Sequence, residues 1–370
     1  MAKTVRVNIN PDVLKWAREE SGYKDGEIAN KLGIELERYQ NWEKTGRDIP
    51  LGFLEKISRK YKRQLAVFFL SKSPPKGKIP NDFRNLSLRG MELSRDIRLS
   101  IRRTHKYQDL ALELRGEDYW NNRYSWLPRV RDMIEKNGRL INIQLLKWLR
   151  ENLRISITDQ KGFREPRIAF NNWRNVVEER LGIFIFQFSM PMEEVQGFSI
   201  SDRIPKAIVI NTKHAYTGRI FSIFHELAHI FKHESGICDL GWSDEELNNE
   251  LECNEFSAEF LVPDEYVYSI SDFEELKKYA KTFNVSKDVY LRRSFHLNLI
   301  SRRAFFILLE EIKKQPHRQG GGPVKPTVKS RSSRGEMFFN LITDAVYSNR
   351  IDFNTASDAL GLSYRYLINV

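Results

Sequence analysis

Apolar residues crowd most densely in the middle of the chain. Phe221, Ile223, Phe224, Leu227, Ala228, Ile230 and Phe231 follow one another so closely that the helix they predict is largely buried. Residues 245–262 read as a second helix, closed by Pro263. In it Leu247, Leu251, Asn254, Ala258 and Leu261 recur at the four-three-four-three spacing of a core stripe. Upstream, 173–181 reads as a helix. The runs 183–186 and 207–210 read as strands with a polar stretch between them.

The first seventy residues carry shorter periods and predict a small helical bundle. Pro11 opens a helix with Val13, Leu14 and Ala17, and Gly22 ends it. A short helix around Ile28 stops at Gly33, and a third spans 35–44 with Tyr39 and Trp42 facing inward. Leu51, Leu54, Ile57 and Tyr61 mark a fourth, and 65–70 a fifth. Helix, glycine turn, helix is the unit that lays its second helix in the major groove of DNA. Its exposed positions here are Glu37, Arg38, Gln40 and Asn41. Gln40 and Asn41 have the chemistry to read adenine, and Arg38 to read guanine or grip phosphate. Against this, Glu35 and Glu37 open that helix and Asp25 precedes the one before it, and carboxylates repel phosphates.

The prolines and lysines of 74–80 mark a linker. Residues 81–135 read as helical and charged, with Arg95, Arg98, Arg102 and Arg103 close together. Ser286 reads as a helix N-cap. Residues 313–334, with three consecutive glycines, many basic residues and no acid, read as a flexible basic stretch. The end of the chain is helical again, with Asn354 as a cap, Gly361 as a turn and Ser363 as a second cap.

The buried central helix contains His225-Glu226-Leu227-Ala228-His229. Imidazoles four apart on a helix lie about 40° apart around its axis, so both can hold one zinc ion. The carboxylate between them can take a proton from a zinc-bound water. With 7 His and 49 Asp+Glu in 370 residues, chance supplies roughly 0.02 such matches. A third ligand must come from elsewhere. Downstream candidates are His233, Glu245, Glu246, Glu250, Glu252, Glu255 and Glu259. Glu250 sits about 60° from the centre of the second helix's stripe, turned toward a buried neighbour, and is the choice. Glu252 is the runner-up, while Glu252, Glu255 and Glu259 together form a face that looks solvated.

Composition narrows the setting. The net charge of +11 favours contact with nucleic acid or an acidic partner. Two cysteines, Cys238 and Cys253, have no metal-type pairing, as expected of a reduced cytoplasmic protein. No basic-then-apolar leader opens the chain, and no apolar run is long enough for a membrane span.

Several stretches together resemble the ImmA/IrrE family of metallopeptidases, in the branch fused to an N-terminal Xre-type helix-turn-helix. Gly197-Phe198-Ser199 and Ile208-Val209-Ile210-Asn211 resemble the family's strand region. The run from Arg219 to His229 resembles its metal helix, with Ala228 where the family usually carries Gly. The run from Glu250 to Pro263 resembles its second helix, in which the metal-binding Glu lies four residues before an Asn, here Glu250 before Asn254. At the front, Ile28-Ala29, Leu32-Gly33-Ile34 and Trp42-Glu43 resemble Xre domains.

The reading is a mainly α protein with a small β-sheet: a helix-turn-helix domain over 1–73, a helical connector over 74–135, a zincin-like metallopeptidase domain over 136–312, the flexible stretch over 313–334 and a helical segment over 335–370. The resemblance implies zinc held by His225, His229 and Glu250, Glu226 as general base, and a protein substrate such as a repressor or a toxin. A second reading is a DNA-binding regulator or antitoxin, contacting DNA through residues 1–73, with an idle or structural metal site.

Overall fold

The Asn10 side chain accepts the Asp12 N–H and Pro11 follows at the first helical position, so the chain enters helix α1 (Pro11–Glu20) with its free amides already answered. The computed structural model describes residues 5–75, 93–234, 244–315 and 324–368, without the side chains of 233, 234 and 244–247. These residues fall into two compact units, Met1–His105 and Lys106–Val370. As expected, the protein is mainly α, with sheets of two and three strands.

In the first unit α1 packs with α2 (Asp25–Leu32), α3 (Leu36–Thr45) and α4 (Leu51–Tyr61). Val13, Leu14, Ala17, Ile28, Leu54 and Ile57 supply its core. The fifth expected helix is a 3-10 turn, Leu65–Phe69. Tyr39 and Trp42 face inward as expected. The Tyr39 and Tyr61 hydroxyls meet at 2.6 Å, and Tyr39 also donates to Glu43, which Arg18 holds at 2.7 Å. Every member of this buried polar network therefore has a partner. Gly46 ends α3 with φ of 65°, and a Cβ there would stand 2.0 Å from the Ile9 carbonyl. That close approach lets β1 (Arg6–Val7) pair with β2 (Ile49–Pro50). Helix α5 (Arg95–Arg115) begins in this unit and runs into the second.

The second unit is built on a three-stranded sheet of β3 (Phe184–Phe188), β4 (Gly197–Ile200) and β5 (Ala207–Asn211) in the order β3-β5-β4. β3 runs parallel to β5, with Phe184 opposite Ala207, and β4 antiparallel, with Gly197 opposite Ile210. β3 and β5 are the two strands expected from the apolar runs, buried on both faces. β4 lies within the stretch whose pattern read as polar. It is short, and alternation cannot be seen in four residues.

The helix Tyr216–Glu234 lies on β4 and β5 and packs against Pro166–Leu181 and Asp244–Leu261. Phe224, Trp173 and Phe260, one from each helix, meet with ring centroids 4.5 to 5.7 Å apart. The helix expected over 173–181 starts earlier, at Pro166. The last turn of Asp244–Leu261 is pinned by side chains: Gln160 donates to the Leu261 carbonyl at 2.9 Å and Arg293 to that of Val262 at 3.2 Å.

Two C-terminal expectations need correction. The stretch 313–334 is not flexible throughout. Residues 316–323 lie outside the described residues, but Pro326–Arg334 is a helix packed on β3, its Ser332 carbonyl accepting from Arg174 and Gln187, both at 2.6 Å. Its basic composition concealed the docking, because the contacts run through backbone carbonyls rather than apolar side chains. The cap of Phe353–Leu360 is Asp352, which accepts the Thr355 N–H at 2.7 Å, and not Asn354. Part of the 74–80 linker and Cys238 also lie outside the described residues.

Candidate metal centre

One turn of helix separates His225 from His229, and both rings leave the buried helix on its half-exposed side. Their Nε2 atoms are 3.0 Å apart. Glu250, from the neighbouring helix, places Oε2 3.2 Å from His225 Nε2 and Oε1 3.3 Å from His229 Nε2. Among the described residues this is the one group of three His, Cys, Asp or Glu side chains arranged to hold a metal ion.

The donor set fits a divalent cation. Each imidazole can donate one hydrogen to its own Glu250 oxygen, but the two Nε2 atoms then crowd each other at 3.0 Å, a conflict that a cation between them would remove. The 3.0 Å separation of the two nitrogens is close to the ligand–ligand spacing about a cation bonded at about 2 Å, and Glu250 turns one oxygen toward each nitrogen. Burial pushes the Glu250 carboxyl up, but the hydrogen bonds and charges of His225 and His229 outweigh it and hold it well below its ordinary range. Burial pulls His229 down, while Cys253 and Glu250 raise it well above the ordinary imidazole value. The triad therefore already pairs negative with positive charge.

Around the triad, His229 Nδ1 faces Cys253 Sγ at 3.7 Å, and the His225 ring stacks on Phe221. The buried His225 Nδ1 has no hydrogen-bond partner among the described residues. Glu226 is 5 % exposed. Its Oε1 lies 3.4 Å from the point where a Cβ on Gly197 would stand. Gly197 opens β4, so the missing side chain lets the carboxylate lie against the strand. The sequence held a signal for this, since a glycine in a strand often marks a close approach.

Glu250 lies beside the two imidazoles and is itself 55 % exposed, but the face argument that chose it needs correction. Leu251 is 53 % exposed and Asn254 is exposed, so neither belongs to a core stripe. The buried positions are Cys253, Phe256, Ser257, Phe260 and Leu261, and Glu250 continues that row at its N-terminal end. Nor is the other acidic face solvated. Glu252 holds the buried Lys232 ammonium, which also donates to Asn249 at 2.7 Å, and accepts the Leu140 N–H at 2.8 Å. Glu259 lies 3.9 Å from Arg293. Glu252 is thus a structural anchor. The side chains of His233, Glu245, Glu246 and Leu247 lie outside the described residues.

In the first unit Arg38, Gln40 and Asn41 are exposed on α3. Gln40 donates to Asp25 at 2.7 Å, and the Arg38 guanidinium lies 5.1 Å from the Trp42 ring centre.

Residues 178–295 match the family model Peptidase_M78, the IrrE N-terminal-like domain. That interval is similar to a peptidase-family domain. It holds the whole sheet, both metal-facing helices and all four residues of the centre, and it supports the resemblance to ImmA/IrrE metallopeptidases. No curated protein and no solved structure gives a significant match.

Proposed function

We propose that this protein is a zinc-dependent endopeptidase acting on a protein substrate, with helix-turn-helix repressors of bacterial or phage genes as the first candidates. One observation supports the reading above all others. His225, His229 and Glu250 converge to within 3.3 Å, with the buried carboxylate of Glu226 on the same helix. The family match agrees with it.

His225, His229 and Glu250 would hold the metal. When bound, zinc supplies a Lewis acid and a water acidified to a pKa of about 7. Glu226 accepts a proton at its carboxylate and delivers it to the leaving nitrogen. Because Glu226 is shielded from solvent, its charge acts in a medium of low polarisability and is little screened. Among the described residues β5 is the one strand paired with β4, and a substrate segment would add as a strand along β4.

The test uses the purified protein and its Glu226→Gln variant, both analysed for zinc and both incubated with the products of neighbouring genes. Cleavage by the wild type alone is expected. A wild type that is fully loaded and cuts none of them sinks the reading.

A second role, DNA contact through residues 1–73, is favoured by the exposure of Arg38, Gln40 and Asn41 on one helix. A promoter fragment titrated at two salt concentrations checks it, because phosphate contacts weaken steeply as salt rises.

A further inference from the structure

The four arginines that stand close together at the start of α5 part company in the fold. Arg98 donates to the Leu93 carbonyl at 3.0 Å, and Arg103 is exposed. Arg95 and Arg102 instead line a cavity of about 190 Å³ within the first unit, together with Arg59, Lys60 and Lys62 from the end of α4. Five cations line this space against one carboxylate, Asp96. No residue of α3 reaches it.

Arg102 is the informative member. Its Nη2 donates to the carbonyls of Tyr61 and Lys62 at 2.8 and 3.0 Å, closing the open end of α4. Neutral carbonyls, not a carboxylate, are its hydrogen-bond partners. Burial and the repulsion of Arg63 and Arg103 pull it down to about 10, with Glu20 offsetting part of this. Arg95, by contrast, has Glu27 at 3.8 Å and Asp96 at 3.9 Å, and donates to the Tyr23 hydroxyl at 2.9 Å. Arg59 has Glu55 at 3.6 Å; Arg102, half-buried beside these cations, has no carboxylate at ion-pair distance among the described residues and feels Glu20 only from farther off.

We infer that this cavity binds the phosphate group of a small ligand, either free phosphate or a phosphate monoester. Its size admits one such group. Guanidinium and ammonium groups in a concavity match three equatorial oxygens, and Arg is the side chain suited to binding them in pairs. A duplex backbone presents its phosphates on a convex surface, and Arg102 lies behind the exposed rim of Arg59, Lys60 and Lys62.

The experiment is calorimetric titration of the full chain with inorganic phosphate and with glycerol phosphate, at ionic strength matched with sodium chloride. Saturable binding of one equivalent is expected. Tighter binding of the monoester identifies esters as the ligand class, and equal or weaker binding identifies phosphate itself. Arg102→Gln should weaken binding by about tenfold or more. Because that variant also loses the closure of α4, a Lys60→Gln/Lys62→Gln double variant, which leaves that closure intact, is measured beside it and should lose about threefold or more. Wild-type affinity in the double variant overturns the inference. So does a heat signal that chloride reproduces, or a short DNA duplex that displaces phosphate from the wild type but does not bind Arg102→Gln.

Discussion

The α3 face and the metal centre each collect residues with the right chemistry, yet they differ in how those residues are satisfied. On α3, Gln40 is already hydrogen-bonded to Asp25 and Arg38 lies over aromatic rings, all at the surface. At the centre, two imidazole nitrogens 3.0 Å apart from one helix meet the two oxygens of a carboxylate from another at 3.2 and 3.3 Å. An exposed polar residue costs the fold nothing and so says little. Two part-buried imidazoles gathered with a carboxylate from another helix form a donor set suited to a divalent cation.

That contrast can be broken most sharply at Glu226. Glu226→Gln should lower the cleavage rate by about a thousandfold while zinc content stays full, checked by rate assays beside metal analysis. Glu250→Gln should remove most of the bound metal, whereas Glu252→Ala should keep the metal and cost about 3 kcal/mol of stability by stranding buried Lys232. Denaturant unfolding with metal analysis separates these two acids, and metal loss in the Glu252 variant would reverse their roles. Gly197→Ala places a Cβ 2.9 Å from the Val209 carbonyl and 3.4 Å from Glu226. It should reduce turnover by about tenfold without releasing metal, as measured in the same assays. The smallest effect is expected at Asn41→Ala, within about 0.5 kcal/mol in thermal unfolding. A loss of duplex binding beyond about tenfold in that variant would raise α3 to the standing of the metal centre.

The two helices of the centre were unequally legible. His225, Glu226 and His229 lie within one turn, so a local motif carries all their geometry. Glu250 depends on how a second helix rolls, and its apolar pattern misleads because Leu251 is exposed while Cys253 and Ser257 are buried. The residue was chosen for a face that the helix does not bury. Strands β3 and β5 announce themselves by continuous apolar runs, whereas β4 is too short to show a period. Lys232 with Glu252, and Gly197 beside Glu226, are pairings across the fold that no window along the chain can contain. Pro326–Arg334 was missed for the opposite reason: its composition is that of a linker, and its carbonyl contacts leave no trace in sequence.

The β3 edge of the three-stranded sheet is held by side chains from outside the sheet. At β3, the Ile185 N–H donates to Glu178 and its carbonyl accepts from Arg174, while Glu178 also takes the Met337 N–H and lies where any Cβ on Gly335 would stand. Shortening the chain to the matched interval, 178–295, would remove Arg174, Ser332, Gly335 and Met337 together. The fragment would strip the β3 edge of these partners and would tend to stack into aggregates, so the isolated matched segment is the wrong piece to purify.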